Sequence, residues 1–379
     1  MSIAAISDFL EPISREALFA DEPIADRQLG HYISTFETEF PDLQSADLIL
    51  MGCSEMRGAI PAAGASSASD LIRKELYRLF HWHTNIKVAD IGNLKTGARL
   101  QDSYAALSSV TKELIEAGKK VLIIGGSHDN TLAQYQAYGA LDRIIDAAVI
   151  DARMDMNMEG ILPEENFLVE MFTGVPNYLR HFTHIGFQSF FTHPDMLEMI
   201  DRLRFDCFRL GKVKESIELM EPMIRKSDLV SFDISAIQHA HAPSNRLTPN
   251  GFSGEEACTL MQYAGMSTTC SSIGIYGYVP EWDVHQMTAR QIAQMIWYLI
   301  DGIRTGKEEA TLGSWHDFNV FNLAFAEINT VFLQSKRTGR WWMQVGEEQY
   351  VACSYQDYLT ASNNDVPEAW LRSLERQDS

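Results

Sequence analysis

Three short segments carry the side chains able to do chemistry in this sequence. VLIIGGSHDN places Gly125, Gly126, Ser127, His128, Asp129 and Asn130 behind an aliphatic run. AVIDARMDMN supplies Asp151, Arg153, Asp155 and Asn157, and LVSFDISAIQHAHAP supplies Asp233 and Ser235, followed by His239 and His241. Asp151 and Asp233 each end a run that is otherwise apolar. A carboxylate left there without a partner is costly, so each must find a cation or several N–H donors. With His128 and Asp155 they make one imidazole and three carboxylates, a set suited to manganese or magnesium better than to thiophilic metals. A structural use stays open on the same residues, since each aspartate could cap a helix or accept backbone N–H groups.

Other motif classes have less to offer. Gly125 and Gly126 stand between a strand and a helix, but no third glycine completes GxGxxG, and neither GxxxxGK[ST] nor a GxSxG elbow occurs. His239 and His241 alternate on a loop and read as surface histidines.

The elements that must position these residues follow from hydrophobic periodicity. Short aliphatic or β-branched runs at 48–52, 88–92, 121–124, 147–150, 183–187, 229–233 and 272–276 read as strands. Amphipathic stretches at 102–118, 213–226, 254–265 and 288–304 read as helices between them. Such alternation predicts an α/β fold with a doubly wound, mostly parallel sheet and helices on both faces. In that architecture ligands bind beyond the carboxyl ends of the strands, where all three segments fall. No repeat or linker divides the chain, so one domain over 1–379 is expected. It would have an N-terminal helix at 1–20, a core at about 46–305 and an elaboration at 310–379. The last part holds two expected strands, 327–334 and 341–352, around Arg337, Arg340, Trp341 and Trp342. A tryptophan pair beside arginines is read first as packed structure and second as a binding face.

Composition narrows the partners. The 379 residues include 31 basic and 51 acidic side chains, a formal charge of −20, with 46% hydrophobic residues. That balance repels nucleic acid and anionic membrane surfaces, while the apolar fraction is ample for a core. The N-terminus lacks a basic start and no stretch is long and apolar enough to span a bilayer. The five cysteines show no CxxC spacing, which argues against a disulfide framework. A cytoplasmic protein is expected.

The three segments resemble, in order and approximate spacing, the signatures of the ureohydrolase superfamily of arginases, agmatinases and formimidoylglutamases: GGDHS, DAHxDxN and SFDxDxxDP. The similarity runs over about 46–305 and is greatest toward the formimidoylglutamase-like branch, through VADIGNLKTG, NGFSGEEAC, TARQIAQMIWYLIDG and the late RWWM. The resemblance implies an arginase-like three-layer sandwich, a trimer or hexamer, a small-molecule substrate and two manganese ions. It places the first ion on His128, Asp151, Asp155 and Asp233, gives Asp155 the catalytic role of orienting the nucleophile, and puts Asn157 near the substrate.

The departures from the family pattern cluster on the second ion. Ser127 stands where the family usually has aspartate. Arg153 replaces a histidine and Ser235 replaces an aspartate, and these are the positions private to the second ion. One divalent ion plus the Arg153 guanidinium balances three carboxylates, so the sequence is read as keeping one manganese site at most, or none. Arg153 could instead turn outward to a surface acid. The glutamate that accepts the family's cationic substrate group matches Gly277, with Glu281 four residues on, and no histidine occurs between 160 and 170 for a proton shuttle. Two functions follow as expectations: a weak or altered metal-dependent hydrolase of linear amidine C–N bonds, or a non-catalytic descendant with a binding or assembly role.

Overall fold

Aliphatic runs become strands in this chain because helices cover both of their faces, leaving only apolar side chains welcome there. The computed structural model describes residues 6–60, 67–347 and 349–377. Its first ten strands are β1 (Leu10–Glu11), β2 (Ser34–Thr35), β3 (Leu48–Gly52), β4 (Val88–Leu94), β5 (Lys120–Ile124), β6 (Ile145–Ile150), β7 (Leu179–Phe187), β8 (Asp206–Arg209), β9 (Leu229–Asp233) and β10 (Ser272–Tyr276). They form one sheet in the order β1-β4-β3-β5-β10-β9-β6-β7-β8, with β2 also on β4. All pairings are parallel except β1 with β4. All seven expected strands are present, and the mostly parallel sheet flanked by helices is the expected architecture.

Three of the four expected helices hold: Leu100–Glu116, Gly254–Met266 and Met287–Lys307. The fourth, expected at 213–226, is broken into Leu210–Glu215 and Met220–Lys226 by Ser216, which takes φ −157°, ψ 70°. Pro222 explains the restart, because a proline is tolerated in a first helical turn but not further along. The N-terminal helix expected at 1–20 is also corrected. Residues 1–5 lie outside the described residues; beyond them Ile6 and Arg15–Leu18 are α-helical, with a 3-10 turn at Ser7–Phe9. Leu10–Glu11 instead pairs antiparallel with Leu94 and Asn93 of β4.

The C-terminal part has its own antiparallel sheet, β11 (Phe318–Phe325), β12 (Ile328–Ser335), β13 (Trp341–Gly346) and β14 (Gln349–Cys353). The single strand expected at 341–352 is therefore a hairpin, and β11 was missed because its buried residues do not alternate cleanly. Two helices, Tyr355–Ser362 and Glu368–Gln377, belong to this part. The Arg337–Trp342 cluster is packed structure: Arg340 pairs with Glu309 at 2.6 Å, and Arg225 lies over the Trp342 ring at 4.4 Å. No helix among the described residues is long and apolar enough to cross a membrane.

Candidate metal and substrate site

Register brings the functional residues together. Ile124 of β5 pairs with Ile275 of β10, Ile275 with Phe232 of β9, and Phe232 with Ile150 of β6. The next position along each strand is Gly125, Tyr276, Asp233 and Asp151, so two carboxylates leave neighbouring strands side by side at the carboxyl edge. His128 reaches them from the end of β5, two strands from Asp233 and three from Asp151, through Gly125 and Gly126, whose φ of +84° and +82° suit glycine. A Cβ on Gly125 would also lie 2.7 Å from the Cys53 carbonyl, so this turn admits little else.

His128 is the hub. Its Nδ1 lies 2.9 Å from Asp155 Oδ2, 3.3 Å from Asp151 Oδ2 and 3.9 Å from Asp233 Oδ2, and the imidazole is about 1% exposed. Its Nε2 stands 3.1 Å from Ser231 Oγ. With an ion bound, donation from Nε2 to that hydroxyl would leave Nδ1 as a lone-pair donor facing three carboxylates, the tautomer a metal-binding histidine needs. The donor atoms of His128, Asp151 and Asp155 all lie within 4.8 Å of one another, a spacing that suits an ion held at about 2.0–2.6 Å from oxygen or nitrogen. Asp233 stands slightly apart, with Oδ1 accepting the Ser235 N–H at 2.7 Å. The residues present therefore fit one hard divalent ion.

The electrostatics show the same surplus of acid. Burial alone would lower the His128 pKa, but its hydrogen bonds to Asp151 and Asp155 outweigh that and hold it well above the ordinary value. Burial and the nearby Asp151 charge push Asp155 well up, and the same two causes raise Asp233. Asp151 resists burial because His128 and Arg153 hold it low. One proton on His128 is shared by carboxylates that would otherwise repel each other.

Arg153 does not turn outward to a surface acid. Its Nε is 3.9 Å from Asp155 Oδ1, and an Nη is 3.4 Å from Glu164 Oε1. Ser235 donates its hydroxyl to Asp151 Oδ1. A guanidinium cannot ligate a metal, and this hydroxyl is already spent on a carboxylate, so the residues at these two positions do not fit a second ion. Both side chains lie on a cavity of about 200 Å³, whose wall also includes Glu164, Asp233, Arg246 and Trp282.

Several of these were not foreseen from sequence. Glu164 stands in the first turn of the helix Pro163–Thr173, where burial and Asp233 push it up to about 7. The acidic pair after a Leu-Pro helix start was the available signal. His184, buried in β7, places Nε2 3.2 Å from the Asp151 carbonyl and is held down at about 4 by burial. Nothing local marks it, because a histidine inside a strand reads equally as core.

Other residues fall outside the cluster. Asn157 is exposed, and its Oδ1 accepts the Glu159 N–H at 3.1 Å, holding the loop locally; it is not on the cavity wall. His239 and His241 are exposed, as the surface reading expects. Gly277 has φ +81°, and a Cβ there would meet Asp233 Oδ2 at 2.5 Å. Glu281 is exposed and does not line the cavity.

Comparison with known proteins bears on the family and the fold. The model of the arginase family matches residues 46–301. A formimidoylglutamase of Salmonella paratyphi C (strain RKS4594) is 27% identical over 138 residues, 34% of this chain and 44% of that protein. One from Hahella chejuensis (strain KCTC 2396) is 28% identical over 102 residues, 25% of this chain and 31% of that protein. The matches thus span less than half the length of these curated relatives. Among solved structures, formimidoylglutamase from Bacillus subtilis subsp. subtilis str. 168 superposes with a TM-score of 0.65 at 18% identity, covering 75% of this chain and 95% of that one. Trypanosoma cruzi formiminoglutamase with Mn2+ gives 0.65 at 16% identity, covering 74% and 99%. At such identities the structural likeness establishes the fold.

Proposed function

The chain belongs to the arginase family, and from that premise we propose that it is a formimidoylglutamase-like protein holding at most one manganese ion, with weak or altered hydrolysis of linear amidine C–N bonds. One observation supports the reading: Asp151, Asp155 and, slightly apart, Asp233 face His128 Nδ1, while the Arg153 guanidinium and the Ser235 hydroxyl face the same carboxylates. When bound, the ion supplies Lewis acidity to the cavity. Asp155 would orient the attacking water and take up its proton. The water oxygen bonds to the planar amidine carbon, the C–N bond breaks, and the proton passes to the leaving nitrogen. Arg153 and Glu164 shape the wall beside this carbon. The assembly is a trimer or hexamer.

The second reading is a non-catalytic descendant with a binding or assembly role. The Ser235 to Asp151 hydrogen bond favours it, since it satisfies an acid without any ion. Metal analysis after dialysis against manganese separates the two: about one ion per chain supports the first and none supports the second. Arg153→His combined with Ser235→Asp should add a second ion. Turnover above about 1 s⁻¹ on arginine, agmatine, 4-guanidinobutyrate or formimidoylglutamate, the ordinary enzymatic range, would overturn the expectation of weak activity.

A further inference from the structure

The end of the sheet opposite His128 carries a charge pattern that the acid cluster does not explain. Three neighbouring strands, β3, β5 and β10, begin there, and the segments leading into them enclose a cavity of about 520 Å³. Among the described residues its wall carries Lys119, Lys120, Arg143 and Lys307 against a single acid, Asp47. Counting Asp228 as well, which stands off the wall 3.8 Å from Arg143, still leaves an excess of two positive charges. In a chain with 51 acidic and 31 basic side chains, a local excess of that sign needs a physical reason.

Two of the four cations have a structural duty. Helices end beside the cavity at Glu116, Met266 and Lys307, and carbonyl groups near helix ends attract ammonium groups. Lys119 donates to the carbonyls of Gln44 at 2.7 Å and Ala46 at 3.2 Å, and Lys120 donates to those of Ser267 and Cys270. Neutral oxygens hold these ammoniums in place without cancelling their charge. Burial accordingly pushes the Lys120 pKa down, since no carboxylate stands beside it to favour the charged form.

Arg143 and Lys307 have no such duty. Both are exposed, and Lys307 pairs with Asp47 at 2.6 Å. Arg143 makes no side-chain hydrogen bond among the described residues; its guanidinium carbon lies 5.8 Å from the centroid of the Tyr138 ring, which steadies the charge and leaves its N–H fork unused.

We propose that this cavity binds a phosphate-bearing small molecule at the amino ends of β3, β5 and β10, with Arg143 and Lys307 contacting the phosphate and Lys119 and Lys120 adding to the field. A single carboxylate brings one negative charge to an excess of two, whereas a phosphate monoester brings about two and three acceptor oxygens. The volume is in the range of small-ligand sites and exceeds what one phosphate group fills. Extended polyanions do not suit it, because the remainder of a −20 chain repels a nucleic acid or an anionic membrane that a small ion can slip past. The site lies at the other end of the strands from His128, so it stands whether or not an ion binds there.

The test is titration calorimetry of the full, metal-free chain with sodium diphosphate, inorganic phosphate and sodium acetate. Diphosphate should bind saturably at about one site per chain with a Kd below about 1 mM, more tightly than phosphate, and acetate should give no saturable heat. Arg143→Gln with Lys307→Gln should weaken diphosphate at least about tenfold, since each removes a charge-assisted contact, while the manganese content per chain stays as in the parent. Arg143→Lys alone should keep part of the affinity. Lys119 and Lys120 are left in place because they hold loop carbonyls. A measurement on the unaltered chain stands beside the variants: diphosphate should slow acetylation of Lys307, read by mass spectrometry, and leave the exposed Lys212 at its original rate. Absence of saturable diphosphate binding, affinity unchanged in the double variant, acetate binding as tightly as phosphate, or equal protection of Lys212 and Lys307 would overturn the proposal.

Discussion

Two buried polar clusters stand at opposite ends of one physical distinction. Arg73 is fully buried and uses all five of its donors: on both Asp90 oxygens at 2.7 and 3.0 Å, on Asp70 and Asn93 at 2.9 and 2.6 Å, and on the Gly92 carbonyl at 2.8 Å. Asp90 in turn accepts from Tyr77 and from the Gly92 N–H, each at 2.9 Å. Charges and donors match, so this cluster is finished without help. At His128, three carboxylates face one imidazole nitrogen, the arginine stands 3.9 Å off, and its buried Nε has no hydrogen-bond partner. Acceptors outnumber donors, and the deficit has the sign and size of a small cation. Burial alone distinguishes neither cluster; the count of donors against acceptors does.

The largest expected effect breaks the finished cluster. Arg73→Met should cost about 3–5 kcal/mol in urea denaturation, because it leaves Asp90 buried and uncompensated. A cost below about 1 kcal/mol would show that the matched cluster is not structural in the sense argued.

Next comes the unfinished one. Manganese at about a hundredfold excess over its Kd should stabilise the protein by about 2.7 kcal/mol, and Asp151→Asn should remove that gain. If the variant is stabilised by manganese as strongly as the parent, the ion sits elsewhere.

Glu164 offers a smaller and pH-dependent handle. Its folded pKa of about 7 lies above the ordinary 4.5, so the stability linked to its proton is complete below pH 4.5 and is lost as the pH rises through 7. In metal-free protein Glu164→Gln should flatten the fall in thermal midpoint across that window, by on the order of 1 kcal/mol given its partial exposure. An unchanged profile would locate the titration in another group.

Asp155→Asn should change metal-free stability least, within about 1 kcal/mol, because relief of like-charge repulsion offsets the lost contact with His128. A loss above about 3 kcal/mol, the range of a broken buried pair, would make the two clusters equivalent.

Much of the site was legible because its residues sit at strand ends. A run such as AVID announces both the strand and the carboxylate that leaves it, and the period of the sheet does the rest. The C-terminal hairpin was harder, since β13 and β14 form one apolar run interrupted only by a short turn. The N-terminal helix failed because an edge pairing with β4, 84 residues away along the chain (Leu10 with Leu94), outcompeted local helix preference. Arg73 and Asp90 carried no signal at all, since a helix residue and a strand residue find each other only by packing.

By itself the sequence determined which segments carry His128, Asp151, Asp155 and Asp233, and that Arg153 and Ser235 stand among them. These are statements about residue type and local spacing, and local spacing survives folding. Only the tertiary structure decided that Arg153 lies between Asp155 and Glu164, that Ser235 donates to Asp151, and that Arg246 rests on Trp282. The Ser235 and Arg246 pairings join elements far apart in the chain, and the geometry of all of them is set by how the helices and loops pack over the sheet.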